Sequence, residues 1–308
     1  MDRRNFLKTS VFGAAGLSLL PGAGGARGSA GKNPLFRISL AQWSLHKTLF
    51  AGEMNNLEFP VISRNTFGID AVEYVNTFMR EKSRDPGYIT ELKNVCAGEG
   101  VRSVLIMCDG EGKIGDPDEA ARIASVENHY RWVDIAAELG CHSIRVNASS
   151  EGDWNTQRDL AADGLRRLSE FAGGVGINVI VENHGGISSN GSWLAEVIRT
   201  VDLPRCGTLP DFGNFYMGKK EGWYDIYQGV EELMPFARGV SAKTHNFDES
   251  GNERDKDYLR LLRIVLDAGY RDYVGVEYEG VEVSEAEGIV LTRMLLERCR
   301  ETLTREYP

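Results

Sequence analysis

Cysteine and histidine are both scarce in this chain, with five of each among 308 residues. Cys96, Cys108, Cys141, Cys206 and Cys299 contain no Cys-x-x-Cys pair, and an odd number cannot close completely into disulfides. They read as buried small apolar residues, with oxidation of two of them the alternative in an exported protein. Five histidines are too few for a multinuclear zinc centre, and two of them, His129 in a helical pattern and His142 at the start of a strand, read as structural. No Gly-x-Gly-x-x-Gly loop follows the first strand-like run, so the dinucleotide fingerprint is missing. No apolar run reaches the roughly 18 to 20 residues that span a bilayer. After residue 32 no Pro/Gly/Ser linker or run of like charge divides the chain, and a 42% apolar composition is enough to bury one large core.

The first thirty residues have their own pattern. Asp2-Arg3-Arg4-Asn5-Phe6-Leu7-Lys8 precedes a weakly apolar stretch, Val11 to Leu20, and then small residues, the order of a cleaved signal peptide. The arginine pair followed by Phe6-Leu7-Lys8 resembles the twin-arginine export signal, which implies a periplasmic or otherwise exported protein. Cleavage after Ala26 or Ala30 satisfies the small-residue rule, so the expected organisation is a signal over residues 1–30 and one folded domain over 31–308. Removing Arg3, Arg4, Lys8 and Arg27 together with Asp2 takes the formal charge from −10 to −13. A domain this acidic repels phosphate backbones and anionic lipid, which argues against nucleic acid and stable membrane insertion as partners. The oligomeric state stays open, a homo-oligomer included.

Short apolar, β-branched runs alternate with longer amphipathic stretches. The predicted strands are 36–43, 69–74, 103–107, 143–146, 178–181, 206–209, 239–242 and 274–276. Helical patterns lie between and after them, near 57–65, 87–98, 117–139, 155–172, 192–201, 226–236, 258–268 and 285–302. Glycines such as Gly100, Gly140 and Gly269 mark helix ends. Eight strand-helix units in about 270 residues predict a parallel (β/α)₈ barrel of α/β class rather than an open doubly wound sheet.

Nearly every predicted strand ends in residues that a buried strand disfavours: Trp43 and His46, Glu73 and Asn76, Asp109, Asn147, Glu182 and His184, Asp211 and Asn214, Lys243 and His245, Glu277 and Glu279. In a barrel those ends converge on one mouth. Glu182, Asp211 and Glu277 each follow a strongly apolar run, and three facing carboxylates demand protonation or a shared cation. One divalent metal resolves the conflict: oxygen ligands with at most one imidazole suit Mn²⁺, Mg²⁺ or Co²⁺, and Zn²⁺ also accepts this set. Pairing of one carboxylate with Arg145 or Lys243 is the competing account for any single residue.

These motifs, Ser39-Leu40-Ala41-Gln42-Trp43-Ser44-Leu45-His46, Val181-Glu182-Asn183-His184-Gly185-Gly186, Pro210-Asp211-Phe212-Gly213-Asn214-Phe215 and Val274-Gly275-Val276-Glu277-Tyr278-Glu279-Gly280, resemble the xylose isomerase-like, or endonuclease IV-like, TIM barrel superfamily. The likeness extends to its exported sugar phosphate isomerase/epimerase members. The resemblance implies metal ligation by Glu182, Asp211 and Glu277, with a His or Gln on strand seven. Two positions depart from it. Asn214 stands where a His often follows the Asp ligand, and Ser241 stands at the usual strand-seven position, with His245 the candidate fourth ligand from the loop.

The expected activity is isomerisation or epimerisation of a sugar or keto-sugar, a small-molecule carbohydrate, through an enediolate. Glu182 and Glu277 would be the proton-transfer pair, with Trp43, His46, Asn147, His184, Asn214 and Lys243 contacting substrate. A lyase, dehydratase or hydrolase of oxidised (3-keto) sugars would share the same first step. A non-catalytic exported sugar-binding protein is the alternative from another class.

Overall fold

The computed structural model describes residues 34–307, so the proposed signal lies outside the described residues. Eight strands, β1 (Arg37–Ala41), β2 (Ala71–Val75), β3 (Arg102–Met107), β4 (Ser143–Val146), β5 (Asn178–Glu182), β6 (Cys206–Leu209), β7 (Val240–Thr244) and β8 (Tyr273–Tyr278), form one parallel sheet. Consecutive strands pair from β1 to β6, and β8 pairs with both β1 and β7. Between β6 and β7 the ladder shrinks to two bridges, Thr208 with Ala237 and Asp211 with Ser241. Pro210 has no N–H to offer across this seam. Its carbonyl still accepts from Ser241 N, and Phe212 N donates to Ser241 O, at 2.9 and 3.0 Å. Those bonds close the barrel and hold Asp211 beside Ser241.

Eight helices follow the strands: α1 (Glu58–Asn65), α2 (Pro86–Glu99), α3 (Glu119–Leu139), α4 (Trp154–Gly173), α5 (Gly191–Val201), α6 (Ile226–Leu233), α7 (Tyr258–Asp267) and α8 (Glu285–Leu303). Each of α2 to α8 begins at an Asp, Asn or Ser whose side chain accepts from a backbone N–H of the first turn, Asp85, Asp118, Asp153, Asn190, Asp225, Asp257 and Ser284. These caps satisfy donors that the first turn leaves free, and so fix where each loop at the barrel mouth ends. Helix α6 stops at Leu233, earlier than the sequence pattern suggests. Pro235 forces Met234–Phe236 into a 3₁₀ turn.

The sequence pattern also extends β1 to Trp43, but the strand ends at Ala41 and Gln42–Leu45 turns as a 3₁₀ segment. Gln42 explains the exit, because its fully buried amide accepts from Val75 N at 2.9 Å and donates to Asn56 Oδ1 at 2.5 Å. Elements without a counterpart in the sequence reading include the short helix His46–Phe50, the 3₁₀ segments Asn76–Lys82 and Gly186–Ser189, and an antiparallel hairpin, Tyr216–Gly218 with Gly222–Trp223. The core lies between sheet and helices, with Trp132 and Trp193 fully buried, and all five cysteines are buried and unpaired. Among the described residues no helix is long and apolar enough to cross a membrane.

Candidate active site

Strand geometry brings three of the expected residues together. Glu182 at the end of β5, Asp211 just past β6 and Glu277 on β8 place one carboxylate oxygen each within 4.8 Å of the others. All three are buried, at 1, 0 and 3% exposure. Such a cluster is tolerable only with compensating positive charge or bound protons. Two cations supply part of it. Lys243, on β7 and 2% exposed, puts Nζ 3.2 Å from Glu277, 3.8 Å from Asp211 and 3.3 Å from Glu279. Arg145, on β4, stands between Asp109 and Glu182 at 2.8 Å from each.

The hydrogen bonds show how each carboxylate is oriented. Asp211 Oδ1 accepts from the backbone N–H of Gly213 and Asn214 at 2.7 and 2.9 Å, which leaves Oδ2 facing the cluster. Asn183 supports this turn, accepting from Asp211 N and donating to the carbonyls of Asp211 and Asn214. Ser241 Oγ lies 2.5 Å from Asp211 Oδ2 and 2.8 Å from Glu277 Oε2, but one hydroxyl proton serves only one of them at a time. Asn214 Nδ2 donates to Glu182 Oε1 at 2.8 Å. Glu182 Oε2 makes no hydrogen bond, because Arg145 Nε approaches it closely but off the N–H axis.

Burial pushes Asp211 up; Lys243 opposes, while Glu277 and Glu182 add to the rise. Burial also raises Glu182 against the pull of Arg145 and Lys243. Lys243 is disfavoured by its own burial, yet the surrounding carboxylates hold its ammonium well above the usual range, so it stays charged. Deeper in the barrel, Glu73 on β2 accepts from Ser39 Oγ at 2.5 Å, while its other oxygen has no partner. Burial lifts this carboxyl to about 8, so it is a neutral acid at pH 7.

An all-oxygen donor set converging at such spacing fits a hard divalent cation. Glu182, Asp211 and Glu277 would hold it. His245, expected as a fourth ligand, is not in this group: its Nε2 lies 4.0 Å from Glu279 and its Nδ1 3.5 Å from Lys256 Nζ. Ser241, at the strand-seven position, instead links Asp211 and Glu277 through its hydroxyl.

The expected substrate contacts fall around this centre. Trp43 stacks on His46 with ring centroids 4.8 Å apart and donates its indole N–H to Glu279. His46 Nδ1 lies 2.7 Å from the Trp43 carbonyl. Asn147 donates to Asp109 at 2.7 Å, beside Arg145, and His184 is exposed just past Glu182. Burial pushes Asp109 up, but Arg145 and Asn147 outweigh it and keep the carboxyl below its ordinary value. Glu279 is likewise lowered, because Lys243 and the Trp43 indole outweigh its burial. Sequence reasoning undervalued Arg145 and missed Asn183 as site residues. The signals were present, a charge inside the strand Ser143-Ile144-Arg145-Val146 and an amide directly after Glu182.

Known proteins resemble this chain in fold or in part of its sequence. Over 76 residues the chain is 36% identical to the C-glycoside deglycosidase alpha subunit of Arthrobacter globiformis, a match covering 24% of this chain and about a fifth of that protein's length, 20%. The fold is similar to L-ribulose 3-epimerase (TM-score 0.69, 15% identity, 88% of this chain and 96% of that one). It is also similar to 3-keto-D-glucoside 4-epimerase from E. coli (TM-score 0.60, 18% identity, 85% and 100%). Other structures of similar fold hold zinc or magnesium. Residues 65–299, which carry β2 to β8 and all three clustered carboxylates, match the xylose isomerase-like TIM barrel family, and the chain belongs to it.

Proposed function

We propose that this protein is a divalent-metal-dependent isomerase or epimerase of a sugar or keto-sugar, working by proton transfer next to a carbonyl. The observation that carries the reading is the convergence of Glu182, Asp211 and Glu277 at the barrel mouth. A divalent ion held there supplies Lewis-acid stabilisation of negative charge on substrate oxygens. Glu182, in the cluster and 2.8 Å from Arg145, takes the proton. Glu277, across the mouth and 3.2 Å from Lys243, returns one to the neighbouring carbon or the opposite face. Lys243 and Arg145 keep the centre from accumulating negative charge, and Trp43 offers an aromatic face for a sugar ring.

The test is exchange. Substrate turned over in D₂O acquires deuterium at the carbon beside its carbonyl, and turnover without label sinks the proton-transfer reading. The stretch similar to a C-glycoside deglycosidase favours a second outcome of the same first step, in which the carbanion expels a leaving group. Under that reading this protein would release a second molecule or water after the same exchange.

Export through the twin-arginine route is part of the proposal and rests on Arg3-Arg4. Replacing both by Lys leaves uncleaved precursor in the cytoplasm; normal export of the variant removes the assignment.

A further inference from the structure

Beside the carboxylate cluster the loops after β6, β7 and β8 line an open pocket of about 550 Å³, within the range of roughly 300 to 1,000 Å³ typical of ligand sites. Its walls include Gly213, Trp223, His245, Lys256, Glu279 and Gly280. None of the three clustered carboxylates lines it. Glu279 connects the two regions, since it faces the pocket and also pairs with Lys243 at 3.3 Å.

Two glycines keep these walls close together. A Cβ on Gly213 would come within 2.9 Å of the Lys243 side chain and 3.2 Å of the His245 ring. A Cβ on Gly280 would meet the His245 carbonyl at 2.0 Å. The outer wall is Trp223, 66% exposed on the hairpin and backed by Tyr216 with ring centroids 5.3 Å apart. An aromatic face set among groups of both signs and an imidazole, with Lys256 already paired to Glu253 at 3.1 Å, suits a neutral polyhydroxyl ring better than a phosphate or an ammonium ion.

We infer that this pocket is a subsite for the non-reacting ring of a glycoside, so that the substrate is a disaccharide-type glycoside whose reacting sugar lies at Glu182 and Glu277 while its second ring stacks on Trp223. The inference rests on the sugar-isomerase reading, and its test has two arms.

In the first arm, metal-loaded protein is titrated with cellobiose and with glucose while the indole N–H resonances are followed by NMR, Trp223→Phe identifying the Trp223 signal. Cellobiose shifts that signal and glucose does not; a Trp223 resonance unmoved by cellobiose overturns the subsite. In the second arm, the 3-keto derivatives of the two sugars are compared as substrates. Trp223→Ala lowers the ratio of kcat/KM for the disaccharide over the monosaccharide by about tenfold or more, as expected for losing an aromatic contact. An unchanged ratio overturns the subsite. Failure of the wild type to turn over either sugar counts against the isomerase reading, and the indole titration then decides the subsite alone.

Discussion

Two buried carboxylate sites in this barrel are built on opposite principles. Glu111, in the loop after β3 and 4% exposed, accepts from Asn76 at 3.0 Å, from Arg131 at 3.0 and 2.9 Å and from the Trp132 indole at 2.9 Å, with Arg80 a further 3.3 Å away. Every partner belongs to the protein, and the knot ties the β2 and β3 loops to α3. At the mouth, Asp211 takes two backbone N–H donors and Glu182 the Asn214 amide, but the three carboxylates then share only Arg145, Lys243 and one serine proton. A satisfied carboxylate stabilises the fold and has no capacity left for a ligand. Carboxylates held together with incomplete compensation keep that capacity, at a cost in stability.

The sharpest way to break this comparison is to remove one member of each site. Glu182→Gln and Glu277→Gln should each lower turnover by about 10² to 10⁴, the range for general acid-base catalysis, with no more loss of stability than chelation causes, and the two losses in turnover should not add. Glu111→Ala should do the reverse, lowering stability by about 2–3 kcal/mol through unpaired buried donors while kcat per folded molecule stays near wild type. A Glu111 variant of normal stability and crippled turnover would erase the distinction.

Metal removal probes the incomplete compensation directly. Purified protein should contain about one divalent ion per chain, and chelation should lower Tm, since a ligand at about a hundred times its Kd stabilises the native state by roughly 2.7 kcal/mol. Asp211→Ala should weaken metal binding more than Asn214→Ala, because the Asn214 side chain only donates to Glu182 and its backbone bond to Asp211 survives the substitution. An unchanged Tm after complete chelation would count decisively against the site.

The smallest effect concerns Glu73, which belongs to neither pattern. Its folded pKa of about 8 lies above its ordinary 4.5, so below pH 4.5 both folded and unfolded chains hold the proton and there is no penalty. As pH rises from there to about 8 the unfolded chain releases a proton that the folded chain retains, and stability falls. Glu73→Gln removes that slope and should be the more stable protein above pH 8, by up to a few kcal/mol, on the scale of about 1.4 kcal/mol per pKa unit. Parallel Tm curves for the two proteins between pH 5 and pH 9 would show that Glu73 does not titrate this way.

Much of this arrangement was legible in the chain. Glu182, Asp211 and Glu277 each interrupt an apolar run at a strand end, and strand ends are a local, period-two signal that needs no partner to be seen. Arg145 and Asn183 carried the same kind of signal but were harder to value, since a buried charge acquires meaning only from what it faces. Glu111 had no signal, because it lies in a loop and its partners come from two other segments, Asn76 and Arg80 after β2 and Arg131 and Trp132 on α3. The Tyr216–Trp223 hairpin was likewise invisible: three-residue and two-residue strands are too short to show a period.

Local sequence alone determined the eight strand-helix units, the helix starts at Asp, Asn and Ser, and which residues stand at the strand ends, because propensity, capping and alternation act over a few residues. Tertiary structure decided which of those strand ends meet. Closure at the Pro210 seam sets Asp211 against Ser241 and Lys243 rather than against His245, and it places Trp223 over a pocket bounded by three separate loops. Distances across a barrel depend on strand register and loop packing, and these are settled only when the whole sheet closes.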